Sequence, residues 1–455
     1  MGSPHIVVIP YPAQGHVIPF MELSQCLAKQ GFRITFVNTE YNHKRVLKAL
    51  RGDINLGGGI GLVSLPDGLE PCGDRNELGK LSKAIFQVMP EKLEELIDRI
   101  SMSEGEKITC IITDWSMGWA LEVAEKMKIR RAIYWPAAAA VLCSLISIPK
   151  LLRDGIIDGD GTPLNNQMIQ LAPTMPAMDT ANFAWACLGD FTTQKIIFDL
   201  TVKTNEAAKM ADRIISNSAY DLEPGAFSFA PNILIPIGPL QASNRLGDQL
   251  GYFCPEDSTC LKWLDQQPPK SVVYVAFGSF TVFDKTQFQE LARGLELSSR
   301  SFLWVVRPDI TTETNDAYPE GFQERVATRG RMVGWAPQQK VLSHPSVSCF
   351  LSHCGWNSTV EGVSNGVPFL CWPYFADQFL NETYICDVWK VGLKFDKNKC
   401  GIITREEIKK KVETVICDEK IKARAAELKR LATQNVGEAG YSSQNLKNFI
   451  EWIKS

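Results

Sequence analysis

The sequence predicts an α/β protein made of two doubly wound domains, each with a parallel sheet. Buried apolar strands alternate with amphipathic helices in both halves, and between residues 241 and 259 the periodicity is lost and turn residues accumulate. Because unbroken apolar strands are typical of sheets covered on both faces, we expect helices on either side of each sheet. Ligands of such domains bind beyond the carboxyl ends of the strands, so functional side chains are expected there.

The first half begins with a β-α-β unit. The strand HIVVIP, the loop YPAQGHV, the helix IPFMELSQCLAKQ and the strand FRITFVN follow one another, with Gly31 ending the helix. The alternation resumes with the strand ITCIITDW, a helix around GWALEVAEKM and the strand RRAIYW. We expect residues 1–240 to form the first domain.

The second half repeats this pattern after a linker at residues 241–259. SVVYVAFGSF, SFLWVVR, VSCFLSH and VPFLCWP are predicted strands, and DKTQFQELARGLELSS is a predicted helix. We expect residues 260–437 to form the second domain. A final helix at residues 438–455 has its apolar residues at helical spacing, so it should dock on the protein.

Composition excludes several classes of function. The chain of 455 residues has 48 basic and 51 acidic side chains, which argues against a nucleic-acid partner. Its thirteen cysteines form no CxxC pair, as is typical of reduced thiols in a cytoplasmic protein. The first apolar run stops at Pro10 without a basic region before it, so we do not expect it to be a signal peptide. The uncharged stretch 132–149 is interrupted by Pro136, which favours a buried strand and helix over stable membrane insertion.

The stretch HCGWNSTVEG lies at the end of a predicted strand. His353 ends the strand, Gly355 permits a turn, and Ser358 and Glu361 have the spacing of a capping box. The N–H groups of a helix start, with side-chain donors from His353, Asn357 and Ser358, favour a bound anion such as phosphate. The alternative is that Ser358 only caps a helix whose tryptophan packs in the core.

Other chemistries have weaker support. Neighbouring His353 and Cys354 should point in opposite directions from a strand, which argues against a shared zinc ion. The serines near these strand ends lack the GxSxG frame of a hydrolase nucleophile. Asp158 and Asp160 have the DxD spacing of metal-dependent glycosyltransferases, but DGDGTP has the composition of a turn.

His16 is the second informative histidine. It follows the first strand beside Gly15, and Asp114 ends another strand of the same predicted sheet. Both side chains can emerge at one edge, where the carboxylate would orient the imidazole and stabilise its charged form. The pair is therefore a candidate general base. A structural hydrogen bond by His16 is the alternative.

A long stretch of the second half matches a known pattern. Residues 335–378, WAPQQKVLSHPSVSCFLSHCGWNSTVEGVSNGVPFLCWPYFADQ, resemble the 44-residue signature box of plant family 1 UDP-dependent glycosyltransferases. The resemblance extends from PAQGH near the start through FGS at 277–279 to the last helix. It implies the GT-B fold, with two facing Rossmann-like domains and a C-terminal helix that crosses back to the N-terminal domain.

The resemblance also implies roles for individual residues. Trp335 would stack on uracil, the Ala336 backbone would bind its edge, and Gln338 and Glu361 would hold the ribose. The diphosphate would be held by His353, Asn357, Ser358 and Ser279, and the sugar would contact Trp356, Asp377 and Gln378. Gly15, Gly355 and Phe375, which stands where many members have Trp, complete the predicted donor site.

The mechanism implied is an inverting displacement without a metal or other cofactor. His16, oriented by Asp114, would deprotonate an acceptor hydroxyl that attacks UDP-glucose, with Gln378 favouring glucose as the sugar. The acceptor would be a small lipophilic flavonoid, other phenolic or terpenoid, held at a wall made of Trp135, Phe183, Trp185 and Phe191. Attack by nitrogen, sulfur or carbon, another UDP-sugar, and a non-catalytic UDP-sugar binder remain alternatives. We expect a monomer.

Overall fold

Two parallel sheets dominate the computed structural model, which describes residues 4–49, 58–104, 107–231, 233–242, 253–311 and 318–455. The chain divides into two units. The first unit comprises Met1–Cys254, Phe375–Asp377 and Ala432–Ser455, and the second comprises Pro255–Tyr374 and Gln378–Leu431.

Fifteen strands are present in the described residues. In chain order they are β1 (His5–Ile9), β2 (Arg33–Thr39), β3 (Ile60–Leu65), β4 (Ile108–Asp114), β5 (Arg130–Trp135), β6 (Met168–Ile169), β7 (Met178–Asp179), β8 (Arg213–Ser216), β9 (Leu234–Pro236), β10 (Val272–Ala276), β11 (Ser301–Val305), β12 (Gly330–Val333), β13 (Val347–Ser352), β14 (Phe369–Cys371) and β15 (Gly392–Lys394).

Helices connect most of these strands. They are α1 (Gln14–Ala28), α2 (Glu40–Ala49), α3 (Leu78–Glu104), α4 (Trp119–Lys126), α5 (Ala139–Ile146), α6 (Ile148–Arg153), α7 (Phe191–Ala207), α8 (Pro224–Phe229), α9 (Thr259–Leu264), α10 (Lys285–Leu297), α11 (Phe322–Val326), α12 (Gln338–Leu342), α13 (Trp356–Asn365), α14 (Gln378–Thr383), α15 (Arg405–Cys417), α16 (Glu419–Val436) and α17 (Tyr441–Lys454). Short 3₁₀ turns cover Trp115–Met117, Thr180–Asn182, Ala208–Met210 and Leu240–Ala242, and a π turn covers Tyr384–Val388.

The first unit has a seven-stranded parallel sheet. Its strand order is β3-β2-β1-β4-β5-β8-β9. Every residue of β1 is buried, as expected for a strand covered on both faces. Because β1 and β4 are neighbours with Ile9 opposite Thr113, the residues that follow them lie at the same edge of the sheet.

The last helix belongs to this first unit. Leu446, Phe449, Ile450 and Ile453 of α17 lie in one buried cluster with residues of β1 and α1. Their spacing predicted that the helix docks on the protein, and the family resemblance implied docking on the N-terminal domain. The Arg130 guanidinium donates to the carbonyls of Trp452 and Ile453 at 2.8 and 3.0 Å, which satisfies the end of the helix.

The second unit has a six-stranded parallel sheet in the order β12-β11-β10-β13-β14-β15. Its helix α10 begins at the side chain of Asp284, which accepts from the Gln287 N–H at 2.9 Å, and buries Phe288, Leu291 and Leu295. The carboxyl ends of β10 and β13 are adjacent, since Ala276 pairs with Ser352.

The unit boundary between residues 254 and 255 falls inside the predicted linker at 241–259. Residues 243–252 of that linker lie outside the described residues. Near the carboxyl terminus the chain returns to the first unit at Ala432, whereas the predicted last segment begins at residue 438. The uncharged stretch 132–149 forms most of β5 and α5, both largely buried, and none of the described helices has the length and apolar character needed to span a membrane.

Candidate active site

His16 lies in the first turn of α1, not in the loop before it as the sequence predicted. The carbonyl of Ala13 accepts hydrogen bonds from the N–H groups of His16 and Val17, both at 2.9 Å. These two bonds start the helix at Gln14, four residues earlier than the apolar periodicity indicates. The helix start therefore fixes the backbone of His16 beside the end of β1.

Asp114 ends the neighbouring strand β4 and contacts His16 directly. Its Oδ2 lies 2.6 Å from Nδ1 of His16, and its Oδ1 accepts from the Ser116 N–H at 2.8 Å. The carboxylate is fully buried, whereas the imidazole is 28% exposed. The predicted pair is thus brought together by adjacent strand ends, with Nδ1–H of His16 donating to the carboxylate and Nε2 left as the acceptor.

Two opposing effects set the pKa of His16. Burial lowers the pKa, but the charge of Asp114 and the hydrogen bond to it raise the pKa, and the net result lies above the usual 6.5. A carboxylate held this close stabilises the imidazolium that would form after proton transfer. The arrangement is suited to a general base.

Tyr11 is a neighbour that the sequence did not single out. Its ring centre lies 5.3 Å from that of His16, and its hydroxyl forms a 2.9 Å hydrogen bond with Ser82. Burial raises the pKa of Tyr11 to about 12, so its hydroxyl stays protonated. Its place two residues beyond β1 was the available signal, because such positions lie at the edge of the sheet that binds ligands.

The turn after β13 differs from the prediction in two details. The left-handed residue is Cys354, with φ 65°, not Gly355, whose φ is −59°. Cys354 is held there by its N–H, which donates to Ser352 Oγ at 3.0 Å. Helix α13 begins at Trp356, so Ser358 already lies inside its first turn, and Ser358 with Glu361 forms no capping box.

Gly355 is needed for space rather than for its conformation. A Cβ at Gly355 or at Gly278 would each lie 2.5 Å from Nε2 of His353, so the imidazole is enclosed between two glycines. Gly278 also has φ +65°. The sequence motif FGS therefore has a glycine because the ring of His353 occupies the position of its side chain.

His353 is uncharged at neutral pH. Burial and, to a smaller extent, the nearby positive charge of Arg307 lower its pKa to about 4. The buried Arg307 donates to the carbonyls of Gly278 and Thr281 at 2.5 and 2.7 Å, which fixes the loop that contains Ser279. His353 can therefore donate one N–H to an anion as a neutral ring, beside the N-terminus of α13.

Gln338, Ser358 and Glu361 form a connected network. Nε2 of Gln338 donates to Ser358 Oγ at 2.8 Å and to Glu361 Oε2 at 2.5 Å. Its Oε1 accepts from the hydroxyl of Tyr274 at 3.1 Å, a contact that the sequence analysis missed. Burial raises the pKa of Glu361 to about 7. The two residues predicted to hold the ribose are thus in contact.

The other residues predicted to bind the UDP-sugar differ in burial and in the unit to which they belong. Ala336 and Trp356 are buried, and Trp335 is half-buried, with its carbonyl accepting from the Asp257 N–H at 2.9 Å. Gln378 begins α14 and its Oε1 accepts from the Tyr374 N–H at 2.7 Å. Phe375 and Asp377, both half-buried, group with the first unit, as does the exposed Gly15. The roles of these residues stay predictions.

The four residues of the predicted aromatic wall differ in burial. Phe183 and Trp185 are 1% exposed and stack on each other at 4.5 Å, and Nε1 of Trp185 donates to the Gly161 carbonyl at 2.8 Å. Trp135 is buried, with its Nε1 bonded to the Ala138 carbonyl at 2.7 Å. Phe191 is exposed at the start of α7. Aromatic composition alone does not separate a pocket wall from an ordinary core, and the burial of Phe183, Trp185 and Trp135 is that of core residues.

The DxD spacing at Asp158 is a turn. Asp158 Oδ1 accepts from the N–H groups of Asp160 and Thr162, both at 2.9 Å, and the carboxylate of Asp160 pairs with Lys195. Both side chains are thus engaged in local structure. In the part of the chain that the structure describes, no group of three or more His, Cys, Asp or Glu side chains is arranged to hold a metal ion.

Two Rossmann-like domains, each with a parallel sheet and with polar side chains gathered at the carboxyl ends of its strands, are the architecture of the GT-B class of enzymes. Residues 254–436 match the family described as UDP-glucoronosyl and UDP-glucosyl transferase. UDP-glycosyltransferase 83A1 of Arabidopsis thaliana is 48% identical over 465 residues, covering 100% of this chain and 98% of that protein. The chain therefore belongs to the plant family 1 UDP-dependent glycosyltransferases, and it is a UDP-glycosyltransferase.

Two further proteins resemble it over nearly their whole length. The 7-deoxyloganetin glucosyltransferase of Catharanthus roseus is 33% identical over 100% of this chain and 97% of its own. The solved structure of Phytolacca americana UGT2, complexed with UDP-2fluoro-glucose and pterostilbene, has a TM-score of 0.81 at 27% identity and covers 99% of both chains. The expected fold and family are thereby confirmed.

Proposed function

We propose that this protein transfers glucose from UDP-glucose to a hydroxyl group of a small lipophilic acceptor, with inversion, to give a β-glucoside. The observation that carries the catalytic part of this proposal is the 2.6 Å contact between Nδ1 of His16 and the buried carboxylate of Asp114. That contact leaves Nε2 of a partly exposed imidazole available to take a proton.

In the proposed reaction the acceptor oxygen attacks the anomeric carbon of the sugar. Nε2 of His16 takes the hydroxyl proton as the new carbon–oxygen bond forms, and Asp114 stabilises the imidazolium. The bond from the anomeric carbon to the diphosphate oxygen breaks on the opposite face, and its electron pair leaves with UDP. In-line attack of this kind converts an α-linked donor into a β-linked product.

The leaving diphosphate needs donors that are in place before the reaction. We propose that the N-terminus of α13, with Asn357 and Ser358, supplies them together with neutral His353 and with Ser279. Groups fixed in advance need no reorganisation as negative charge develops on the leaving group. In this proposal protein groups, rather than a bound cation, neutralise that charge, and full activity in EDTA is the expected outcome.

The nucleoside and sugar are assigned by resemblance. We propose that Trp335 and Ala336 bind uracil, that Gln338 and Glu361 bind the ribose, and that Trp356, Asp377 and Gln378 meet the sugar. Glucose is supported by the final Gln378 of the signature box. It is also supported by the glucosyltransferase from Catharanthus roseus and the fluoro-glucose complex of the Phytolacca protein.

The acceptor class rests on the same relatives. The Catharanthus enzyme is named for 7-deoxyloganetin and the Phytolacca protein holds pterostilbene, both small organic molecules. We therefore propose a phenolic or terpenoid acceptor. A monomer in the cytoplasm is part of the proposal, and the cytoplasmic location is supported by the thirteen cysteines, all of which are free thiols. Light scattering of the purified protein and localisation of a fluorescent fusion test these two points.

A mass-spectrometric screen tests the activity. UDP-glucose, UDP-galactose and UDP-glucuronic acid are each incubated with phenolic and terpenoid alcohols and with matched amines and thiols. We expect the largest yield from UDP-glucose and an alcohol. Greater transfer from another donor, or to nitrogen or sulfur, would overturn that part of the proposal.

The variant His16→Ala tests the base. We expect turnover to fall by about 10²- to 10⁴-fold while the affinity for UDP is nearly unchanged, because the imidazole acts on the acceptor and not on the nucleotide. Binding of UDP is measured by calorimetry on the same preparation. Unchanged turnover would refute the assignment of His16.

A further inference from the structure

Tyr274 is a buried tyrosine at a position where the sheet needs only an apolar ring. It lies in the middle of β10, is 1% exposed, and stacks on Phe350 of the adjacent strand at 5.0 Å. Tyr274 and Phe350 pair directly across the two strands. A phenylalanine would make the same packing contact, so the hydroxyl requires a separate explanation.

The hydroxyl is hydrogen-bonded to the side chain of Gln338. It donates to Oε1 of Gln338 at 3.1 Å, while Nε2 of the same amide donates to Ser358 and Glu361. The two ends of a side-chain amide have nearly the same shape, so its orientation depends on which neighbours donate and which accept. Here a donor faces the oxygen and acceptors face the nitrogen, and both ends favour the same orientation.

The tyrosine keeps its proton under all ordinary conditions. Burial raises its pKa well above 10, and the negative charge of Glu361 raises it further, with smaller effects from Cys260 and Glu256. A hydroxyl that stays protonated is a permanent donor. The orientation of Gln338 is therefore independent of pH on the Tyr274 side, even where Glu361 changes its charge.

We infer that Tyr274 is a positioning residue for the nucleotide. Its hydroxyl fixes the amide of Gln338 so that the Nε2 group faces Ser358 and Glu361, where the ribose is expected. This inference rests on the proposed role of Gln338 in donor binding. Tyr274 itself is buried in the sheet and acts through Gln338.

A double-mutant cycle tests this inference. Tyr274→Phe removes one hydroxyl and keeps the stacked ring, so we expect KM for UDP-glucose and Kd for UDP to rise about 3- to 10-fold, as for one lost hydrogen bond, with kcat nearly unchanged. In the Gln338→Ala background the same substitution should have no further effect on affinity. Tyr318→Phe is the matched control, because it removes the hydroxyl of another tyrosine, one that is partly buried and packs against the core of this unit, and should leave KM unchanged.

Affinities for nucleotide analogues distinguish positioning of the ribose site from a purely structural role of Tyr274, which would not change the discrimination between these analogues. The wild-type protein should bind UDP more tightly than 2′-deoxy-UDP or 3′-deoxy-UDP, and Tyr274→Phe should narrow at least one of these differences. An equal loss of affinity in the presence and absence of Gln338, or unchanged discrimination, would overturn the inference and leave the proposed function intact. Failure of the wild-type protein to bind UDP-glucose would instead overturn the proposed function.

Discussion

Asp114→Asn tests whether this carboxylate orients His16, while it keeps the hydrogen bond by which residue 114 caps the next turn. The amide oxygen of an asparagine can still accept from the Ser116 N–H, now bonded at 2.8 Å to Oδ1 of Asp114. The amide NH₂ would then replace Oδ2, which lies 2.6 Å from Nδ1 of His16. Because an NH₂ group can only donate, Nδ1 must become the acceptor and the imidazole proton moves to Nε2.

That change of tautomer removes the lone pair that takes the acceptor proton. We expect kcat/KM to fall by about 10²- to 10⁴-fold, which corresponds to roughly 3 to 5 kcal/mol of transition-state stabilisation. The fold should be kept, because the local cap of the Trp115–Met117 turn is preserved.

The pH dependence of activity gives a second test, because the direction of its shift can be predicted. His16 works as a base only when it is neutral, so wild-type activity should rise with pH through a pKa above 6.5. The substitution removes the two larger effects that raise this pKa, the charge of Asp114 and its hydrogen bond, and leaves burial, which lowers the pKa, and the smaller raising effect of the Asp377 charge. The acidic limb of the residual activity should therefore move to lower pH.

Initial rates of glucoside formation across a range of pH, measured by chromatography, check both expectations. Asp179→Asn is the matched control, since Asp179 Oδ1 caps the Thr180–Asn182 turn by accepting from the Ala181 N–H at 3.0 Å. Activity of Asp114→Asn within about threefold of the wild type, or a limb displaced to higher pH, would refute the base mechanism.

Three more changes test other parts of the structure. Gly355→Ala would place a Cβ 2.5 Å from Nε2 of His353, so KM for UDP-glucose should rise by at least about fivefold in steady-state assays, and an unchanged KM would contradict the enclosed position of the ring. Burial raises the pKa of Glu361 to about 7, so UDP-glucose, whose phosphates are diesters, should bind more tightly at about pH 8 than at about pH 6, where fewer carboxylates are ionised to accept from the ribose. Glu361→Gln should remove that dependence in calorimetric titrations, and affinity independent of pH in the wild type would refute it. In Gly161→Ala the new Cβ would clash with the ring of Phe198, and residue 161 has a φ of +78°, so the free energy of unfolding measured in urea should fall by about 2 to 5 kcal/mol. A loss below about 1 kcal/mol would contradict the close contact between this turn and Phe198.

The sequence was sufficient for features that depend on periodicity and on the ends of strands. Continuous apolar strands predicted both parallel sheets, and the position of His16 after one strand and of Asp114 at the end of another predicted their contact. These inferences succeed because the carboxyl ends of adjacent parallel strands must share an edge.

Details that depend on local hydrogen bonds could not be predicted. The first turn of α1 is closed by the Ala13 carbonyl, and the left-handed Cys354 is held by Ser352, so both helix starts departed from their apparent signals. A side-chain contact that begins in the middle of a strand was also invisible, because no pattern of strand ends points to it. Tyr274 and Gln338 are 64 residues apart, and only the fold shows that the tyrosine reaches the amide.

The position of α17 has a consequence for how the protein is made. Leu446 and Ile453 belong to the same buried cluster as Ile6 and Val8, so the first unit gains its last core residues only when the carboxyl terminus has been synthesised. When residues 1–254 of a nascent chain have left the ribosome, the first unit would still expose apolar surface, which favours chaperone binding during translation. A fragment ending at the linker should aggregate, and supplying residues 432–455 as a separate peptide should restore its solubility.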